Sequence, residues 1–280
     1  KKINIHNFTN SKMKKIVFLL SLFLISTIVM SQDEGFDDIL RQQLDSVLVE
    51  GTLLYKYEKA AWVATDMIMK NQSIIENYGG YFTYEDNGNI VVIFLSRSDN
   101  NCIAECHFKD DFAKPDVFKA KARKLRNKEV ELLKVRSKIF ENLSSDKHSI
   151  SIPDGYSPNF ILLPFAEKYK LYMIMGTTQI DVIPFGNDYL IVADMDGNIE
   201  SLKSFHSRII PAYTNIDGKK VREIFHSHLK TTPLISATDI CTFKLYAPLY
   251  DVKKFTVYSP ALEKYMTFNL EINEISVKGK

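Results

Sequence analysis

Residues 223–242 read EIFHSHLKTTPLISATDICT, and they decide the fold of the second half of the chain. Val221–Phe225 contains the β-branched and aromatic residues that are typical of a strand, whereas Ala237–Tyr246 has the composition of a helix. The loop between them begins with two histidines and ends with a serine, and an aspartate follows in the first turn of the helix. A strand, a loop and a helix in this order indicate a unit of an α/β fold.

The residue types in this stretch are those of a metal site. His226 and His228 lie two positions apart at the end of the predicted strand, so both side chains project from the same face. Asp239 offers a hard oxygen ligand beside the two imidazoles. Two histidines and one carboxylate form a catalytic zinc arrangement when the fourth position is left open for water or substrate.

The spacing H-S-H-x7-S-x2-D resembles the motif of the JAMM (MPN-domain) zinc metalloproteases. The resemblance implies that His226, His228 and Asp239 bind zinc and that Ser236 polarises the scissile carbonyl. It also implies an upstream glutamate that moves protons, for which Glu167 is the candidate, because it precedes a predicted strand. Where many members of that family have proline after the second histidine, this chain has Leu229.

Beyond the motif, the second half is similar to uncharacterised exported bacterial proteins in which the strings HSHL and TATDI occur; this chain has HSHL at 226–229 and SATDI at 236–240. That likeness implies no activity.

Each of these residues also has an ordinary structural interpretation. Ser236 and Asp239 have the spacing of a helix-capping box, and His226 and His228 are compatible with plain strand positions. Glu167 is compatible with a solvated loop carboxylate. The remaining histidines His107, His148 and His206 show no partner pattern, so no role is predicted for them.

The rest of the chain divides, by composition, into an N-terminal module at 33–148 and a C-terminal domain at 149–280. The first is predicted as helices on a small antiparallel sheet: a helical region at 36–71 that Gly51 divides, a hairpin turning at Asn87-Gly88, a third strand, and a long helix at 114–142. The polar segment 144–158, rich in turn residues, marks the boundary. The second is predicted as a JAMM-like mixed sheet flanked by helices, so the chain is α/β, or α+β overall.

Composition excludes some functions. The formal net charge is only +2, with 45% hydrophobic and 25% charged residues, so no field for nucleic acid is expected. The basic segment 119–138 mixes both signs of charge and is interpreted as a solvated helix face. Cys102 and Cys106 are too far apart in an extended strand to form a disulfide, and buried thiols are predicted for them and for Cys241.

The N-terminal region predicts export. Residues 1–32 comprise upstream sequence and a signal peptide, in which Met13-Lys14-Lys15 is basic and residues 16–30 form an apolar run too short for a typical membrane span. Cleavage near Ser31-Gln32 would leave a chain without a stable membrane span in the periplasm or outside the cell.

Two functions follow from these observations. The first is an exported zinc-dependent hydrolase that acts on a peptide or amide substrate, such as one derived from the cell envelope. The second is a non-enzymatic exported protein that keeps a metal site, or only the JAMM-like fold, and serves as a binding module. They differ in whether a carboxylate lies within hydrogen-bond reach of the metal site.

Overall fold

The computed structural model describes residues 10–144 and 150–279, with side chains from residue 37 onward. The chain forms two units, Lys1–Ser46 and Val47–Lys280, and the first is helical from Asn10 onward. The predicted signal peptide lies outside the residues whose side chains are described. Among the described residues, no helix is both long enough and apolar enough to cross a membrane.

The described residues form helices and short strands in an α+β arrangement, as the sequence predicted. The helices are α1 Asn10–Ile68, α2 Gln72–Ile75, α3 Asn127–Leu143 and α4 Ala237–Tyr250. The strands are β1 Tyr78–Asp86, β2 Asn89–Ser96, β3 Cys102–Phe108, β4 Val117–Lys119, β5 Tyr156–Phe165, β6 Lys168–Thr177, β7 Val182–Gly186, β8 Tyr189–Ala193, β9 Ile199–Ser204, β10 Ile209–Tyr213, β11 Asn215–Ile216, β12 Lys219–Lys220, β13 Glu223–Ser227, β14 Lys254–Ser259, β15 Lys264–Asn269 and β16 Glu274–Gly279.

The strands pair into several small sheets. Strands β1 to β4 form one antiparallel sheet in sequence order, and β5, β6, β8 and β9 form a second. Strand β7 pairs with β10, and β11 with β12. The last sheet has the order β13-β14-β15-β16 and is mixed, because β13 and β14 run parallel.

The parallel pair is joined by α4, which makes β13-α4-β14 a crossover unit. Its register places Ile224 opposite Phe255 and His226 opposite Val257. In such a unit the chain leaves the first strand at the same end of the sheet where the following helix begins. The end of β13 and the start of α4 are therefore brought together, as the sequence around His226 predicted.

One hydrophobic core joins the two central antiparallel sheets to α3. Ile93 of β2, Ile139 of α3, Leu171 of β6 and Ile191 of β8 are all fully buried in it. The core thus takes side chains from both sides of the predicted boundary at 148/149. That boundary falls among residues 145–149, which lie outside the described residues, so the division into modules stays a prediction.

Helix α1 continues through Gly51, so the prediction that this glycine separates two helices is wrong. A Cβ added at Gly51 would lie only 2.6 Å from Cβ of Ile240 and 2.8 Å from the carbonyl oxygen of Ala237. The glycine therefore serves close packing of α1 against α4, and not a break. In a sequence, a glycine that allows two helices to pack closely looks the same as a glycine that ends a helix.

The long helix predicted at 114–142 is also too long, since α3 begins at Asn127 and part of the preceding segment forms β4. The segment before α3 instead contributes to a set of charged residues, the buried Glu105 and Glu129 and the partly exposed Arg123 and Arg126, which we call the ion network. Lys119 lies opposite Glu105 across the β3–β4 pair and donates to it at 3.2 Å. Strands β5, β10, β11, β12 and β16 were not predicted, whereas the hairpin, β3 and the burial of all three free cysteines are confirmed.

Arg123 and Arg126 lie at the centre of the ion network. Arg123 donates to Glu129 at 2.7 Å and to Glu105 at 2.9 Å, and Arg126 donates to the same two carboxylates at 3.0 Å. The hydroxyl of Tyr84 also donates to Glu129, at 2.7 Å. The basic segment is therefore not a wholly solvated helix face: two of its arginines neutralise carboxylates buried beneath them.

Candidate metal centre

Four buried side chains converge beside the start of α4: His206, His226, His228 and Asp239, which we call the histidine cluster. Their exposed fractions are 3%, 7%, 4% and 1%. One potential ligand atom from each lies within 4.8 Å of the others, so the cluster could hold a metal ion. Three of the four members were predicted from the sequence, and His206 was not.

Strand β13 positions two of the histidines. Its residues alternate between exposed and buried, which puts Phe225 on the open side and His226 on the inner side. The ladder continues one step beyond the strand, because the backbone N–H of His228 donates to the carbonyl of Tyr258 at 2.9 Å. The two imidazole rings consequently stack on the same face, with ring centroids 5.1 Å apart and an interplanar angle of 13°. The predicted two-residue geometry is confirmed.

Helix α4 positions the carboxylate. Ser236 is the N-cap residue: its Oγ accepts from the backbone N–H of Asp239 at 3.0 Å, and its own backbone N–H donates to Oδ2 of Asp239 at 2.9 Å. The Ser236 hydroxyl also donates to Oδ2, at 2.7 Å. Oδ1 of Asp239 has no hydrogen-bond partner among the described residues. The capping interpretation is thus confirmed, and it leaves one oxygen of Asp239 for another use.

His206 enters the cluster from the connection between β9 and β10, and Asp188 holds it there. Nδ1 of His206 lies 2.7 Å from Oδ1 of Asp188. The backbone N–H of Phe205 donates to the carbonyl of Asp188 at 3.1 Å, and Thr232 donates to the carbonyl of Phe205 at 3.0 Å. The other carboxylate oxygen of Asp188 accepts from the hydroxyl of Thr238. No local sequence spacing predicts that His206 joins His226, His228 and Asp239, because only the packing of separate strands brings it to them.

The hydrogen bonds of the outer ring nitrogens determine where the lone pairs point. Nδ1 of His228 faces the carbonyl of Thr232 at 3.1 Å, and a carbonyl only accepts, so this nitrogen carries the proton. Nδ1 of His206 likewise donates to the Asp188 carboxylate. In the neutral rings both Nε2 atoms therefore present lone pairs to the cluster centre, although they are only 3.0 Å apart. Such an arrangement requires a proton or a cation between them.

The spacings inside the cluster match a tetrahedral ion. The Nε2 atom of His206 lies 3.3 Å from that of His226 and 3.0 Å from that of His228, and the Nε2 atoms of His226 and His228 are 3.1 Å apart. Oδ1 of Asp239 lies 3.6 Å from Nε2 of His206 and 3.7 Å from that of His226. Metal–nitrogen bonds of about 2.0–2.1 Å at tetrahedral angles give edges of about 3.3–3.4 Å. The observed distances scatter around that value.

The electrostatics of the cluster show the same need for positive charge. Burial lowers the pKa of His206, but the negative charges of Asp239 and Asp188 outweigh burial and raise this pKa to about 9. Burial and the neighbouring imidazoles lower the pKa of His226 to about 3, against the attraction of Asp239. Burial opposes the ionisation of Asp239, yet His206 and His228 hold its pKa well below the usual range. Without a metal, one proton on His206 takes the place of the cation.

The two residues to which the resemblance assigned catalytic roles occupy different surroundings. Ser236 lies at the cluster, where its hydroxyl bonds to Asp239 and to Thr238. Glu167 is exposed in the turn between β5 and β6. Strand β6 pairs with β8 so that Met173 faces Tyr189, the neighbour of Asp188, and the chain from Glu167 to Met173 spans roughly 20 Å. The structure does not bring Glu167 to the histidine cluster.

Comparisons with known proteins add little to this geometry. No family model matches the chain, and no curated protein matches it. Among solved structures, the chain is similar to a Bacteroides eggerthii protein described as periplasmic, with 14% identity and a TM-score of 0.16, covering 51% of this chain and 86% of that one. A TM-score this low supports no conclusion about fold or function. The JAMM resemblance therefore rests on the motif residues.

Proposed function

We propose that the C-terminal part of this chain is a zinc-binding module in which His206, His226, His228 and Asp239 are the four ligands. One observation carries the proposal. Outer hydrogen bonds place the protons of His206 and His228 on Nδ1, so the lone pairs of their buried Nε2 atoms face each other. The distance between these atoms, 3.0 Å, is close to the ligand–ligand distance of a tetrahedral metal site. Nitrogen and oxygen ligands in a four-coordinate site are typical of zinc. A site closed by four protein ligands is typical of a structural role.

The surrounding residues would hold this ligand set in place. Asp188 accepts from Nδ1 of His206, which fixes the ring and makes its Nε2 more basic, as carboxylates commonly do behind metal-binding histidines. The carbonyl of Thr232 does the same for His228. Ser236 aligns Asp239 through the cap of α4. A bound cation would then join the β9–β10 connection, β13 and α4, which are distant in sequence.

Elemental analysis of the purified chain tests the proposal. We expect one zinc per chain, and His206→Ala or His226→Ala should each lower zinc affinity at least about tenfold in a chelator competition. His107→Ala, which removes a histidine outside the cluster, is the matched control and should bind zinc like the wild type. Zinc content that is equal in all four proteins would refute the site.

A second candidate, the exported peptide or amide hydrolase, is favoured by the convergence of His226, His228 and Asp239 in a β13-loop-α4 unit with JAMM-like spacing. In that mechanism bound zinc supplies a Lewis acid for the carbonyl of the substrate. The sequence assigned proton transfer to Glu167 and carbonyl polarisation to Ser236. Because Glu167 lies at the far end of its sheet, His206, oriented by Asp188, is the better candidate to move a proton.

His206→Gln separates the two functions. If His206 is a ligand, the variant loses zinc affinity along with the other cluster variants. If His206 moves a proton beside a three-ligand ion, the variant keeps its zinc and loses hydrolysis of cell-wall-derived peptides, while Glu167→Gln keeps both. Loss of hydrolysis in Glu167→Gln with zinc retained would instead restore the role first assigned to that residue. Sequencing the N-terminus of the exported chain, with cleavage expected near Ser31-Gln32, tests the proposed location outside the cytoplasm.

A further inference from the structure

A second concave region, built from other residues than the histidine cluster, lies between α1, β1, β5, β6 and α4. It has a volume of about 620 Å³, within the range of roughly 300–1,000 Å³ that is typical of small-ligand sites. Aromatic and uncharged polar groups share its lining. The residues that matter for the argument are Trp62, Asp66, Tyr81, Tyr156, Asn159 and Tyr246.

Part of the aromatic wall is held rigidly. The rings of Trp62 and Tyr246 meet edge to face, with centroids 5.0 Å apart and an angle of 88°. The hydroxyl oxygen of Tyr246, which is 5% exposed, accepts from the backbone N–H of Thr177 at 3.0 Å. Trp62 is itself only partly buried, so its ring remains accessible from the cleft. A ligand would therefore meet aromatic groups whose orientation is already fixed.

The charge of the cleft is low. Among its lining residues only Asp66 is charged, and the lining includes neither lysine nor arginine. One turn before Trp62 on α1, Glu58 is buried, its Oε2 has no hydrogen-bond partner among the described residues, and burial raises its pKa to about 8. Arg136, which is not part of the lining, donates to the backbone carbonyl of Tyr81 at 2.7 Å. The lining itself therefore offers no cationic side chain to a phosphate-bearing or strongly acidic ligand.

We propose that this cleft binds a short neutral oligosaccharide. The C–H faces of a sugar ring are apolar and pack on aromatic rings, while its hydroxyls require donors and acceptors such as Asn159, Ser157 and Asp66. A cleft lined by aromatic groups, amide and hydroxyl groups and a single carboxylate satisfies both requirements. A peptide is the competing ligand, but it would bring two charged termini to a site with one charged lining residue.

The chain contains a single tryptophan, so its fluorescence reports on the cleft directly. We would titrate the purified protein with chitotriose, maltotriose and cellotriose as neutral trisaccharides, and with triglycine and trialanine as peptide probes. We expect a saturable change in Trp62 emission with at least one trisaccharide. No saturable change with any trisaccharide at millimolar concentration, or saturation by the peptides alone, would overturn the proposal.

Variants locate the binding. Tyr156→Ala and the milder Asn159→Ala should each weaken trisaccharide affinity roughly tenfold or more. Tyr265→Ala removes an aromatic residue outside the cleft and should leave the affinity unchanged. If the cleft variants bind as tightly as the wild type while their circular dichroism shows a folded chain, the sugar binds elsewhere and the proposal fails.

Discussion

The ion network and the histidine cluster both contain buried carboxylates, yet they compensate the buried charge in opposite ways. In the ion network two arginines donate to two carboxylates, so positive and negative groups compensate each other within the chain. In the histidine cluster three imidazole nitrogens converge on one another, and a single carboxylate, Asp239, lies among them. The first set is complete within the chain, whereas the second could hold a metal ion.

The pKa values express the same contrast. Burial disfavours ionised Glu105, but hydrogen bonds from Arg123 and Lys119 outweigh it and lower the pKa to about 2. The pKa shifts in the histidine cluster have opposite signs for His206 and His226, because Asp239 and Asp188 outweigh burial at His206, whereas burial and the neighbouring imidazoles outweigh Asp239 at His226. The ion network thus compensates its charges internally, whereas the titratable groups of the histidine cluster oppose one another.

Removing one carboxylate from the ion network should have the largest effect. Glu129 is fully buried and accepts from Arg123, Arg126 and Tyr84. Glu129→Ala leaves both guanidinium groups without one of their partners, and we expect the free energy of unfolding to fall by about 3–5 kcal/mol. Urea unfolding measures this loss.

The matched control lies on the same helix. Glu141 pairs with Lys138 at 3.0 Å at the exposed surface, and Glu141→Ala should lower the free energy of unfolding by less than about 1 kcal/mol. If the two variants unfold at the same urea concentration, the ion network is not a complete, stabilising set and the comparison drawn above collapses.

Glu58 sharpens the comparison, because its buried Oε2 has no hydrogen-bond partner among the described residues. Burial raises its pKa from 4.5 to about 8, so the folded chain holds a proton that the unfolded chain releases between those values. The stability contributed by this proton is present at low pH and is lost as the pH rises, by at most about 1.4 kcal/mol per pH unit. Glu58→Gln has no such proton. The stability of the wild type relative to this variant should therefore decline from pH 5 to pH 8, by about 3 kcal/mol in all.

The measurement is urea unfolding of both proteins at several pH values, and the difference between them removes every other titrating group. Parallel curves for Glu58→Gln and wild type would mean that Glu58 is ionised or paired in the folded chain.

Adding zinc should complete the histidine cluster. An ion that binds only the folded chain stabilises it by about 2.7 kcal/mol at a hundredfold excess over its dissociation constant. Thermal unfolding with and without zinc should show this gain for the wild type and for His107→Ala, and should show none for His226→Ala. Zinc that stabilises His226→Ala as strongly as the wild type would contradict the ligand assignment.

The sequence contained most of the motif but not its completion. His226 and His228 could be predicted because strand geometry puts alternate side chains on one face, and Asp239 because the spacing fixes it at the start of a helix. The role of His206 and Asp188 could not be predicted, because the β8–β9 hairpin that brings these two residues together meets β13 only through tertiary packing. A histidine whose partners are distant in sequence leaves no periodic signal.

The prediction of the fold was correct where local sequence determines the structure. It was wrong where long-range contacts determine the ends and the packing of a helix. The hairpin at Asn87-Gly88 followed from its turn residues, and the α4 cap from Ser236. The start of α3 was misplaced because Arg123 forms a hydrogen bond with Glu105 of β3, a long-range contact that the local sequence does not show. Gly51 was interpreted as a helix break because sequence does not show which helix packs against it.

The smallest predicted effect separates the two uses of Asp239, as capping residue and as ligand. Ser236→Ala removes the oxygen that accepts from the backbone N–H of Asp239, and loss of such a cap lowers stability by about 1 kcal/mol. It also removes the donor to Oδ2, while Oδ1, the oxygen nearer His206 and His226, keeps its place because α4 remains packed in the core. Zinc content should therefore stay at one per chain, with thermal unfolding shifted down by a few degrees. Ser236→Thr keeps a capping hydroxyl and should recover much of the loss. If Ser236→Ala instead loses zinc outright, the cap is what aims Asp239 at the metal, and the ligand geometry depends on α4 beginning where it does.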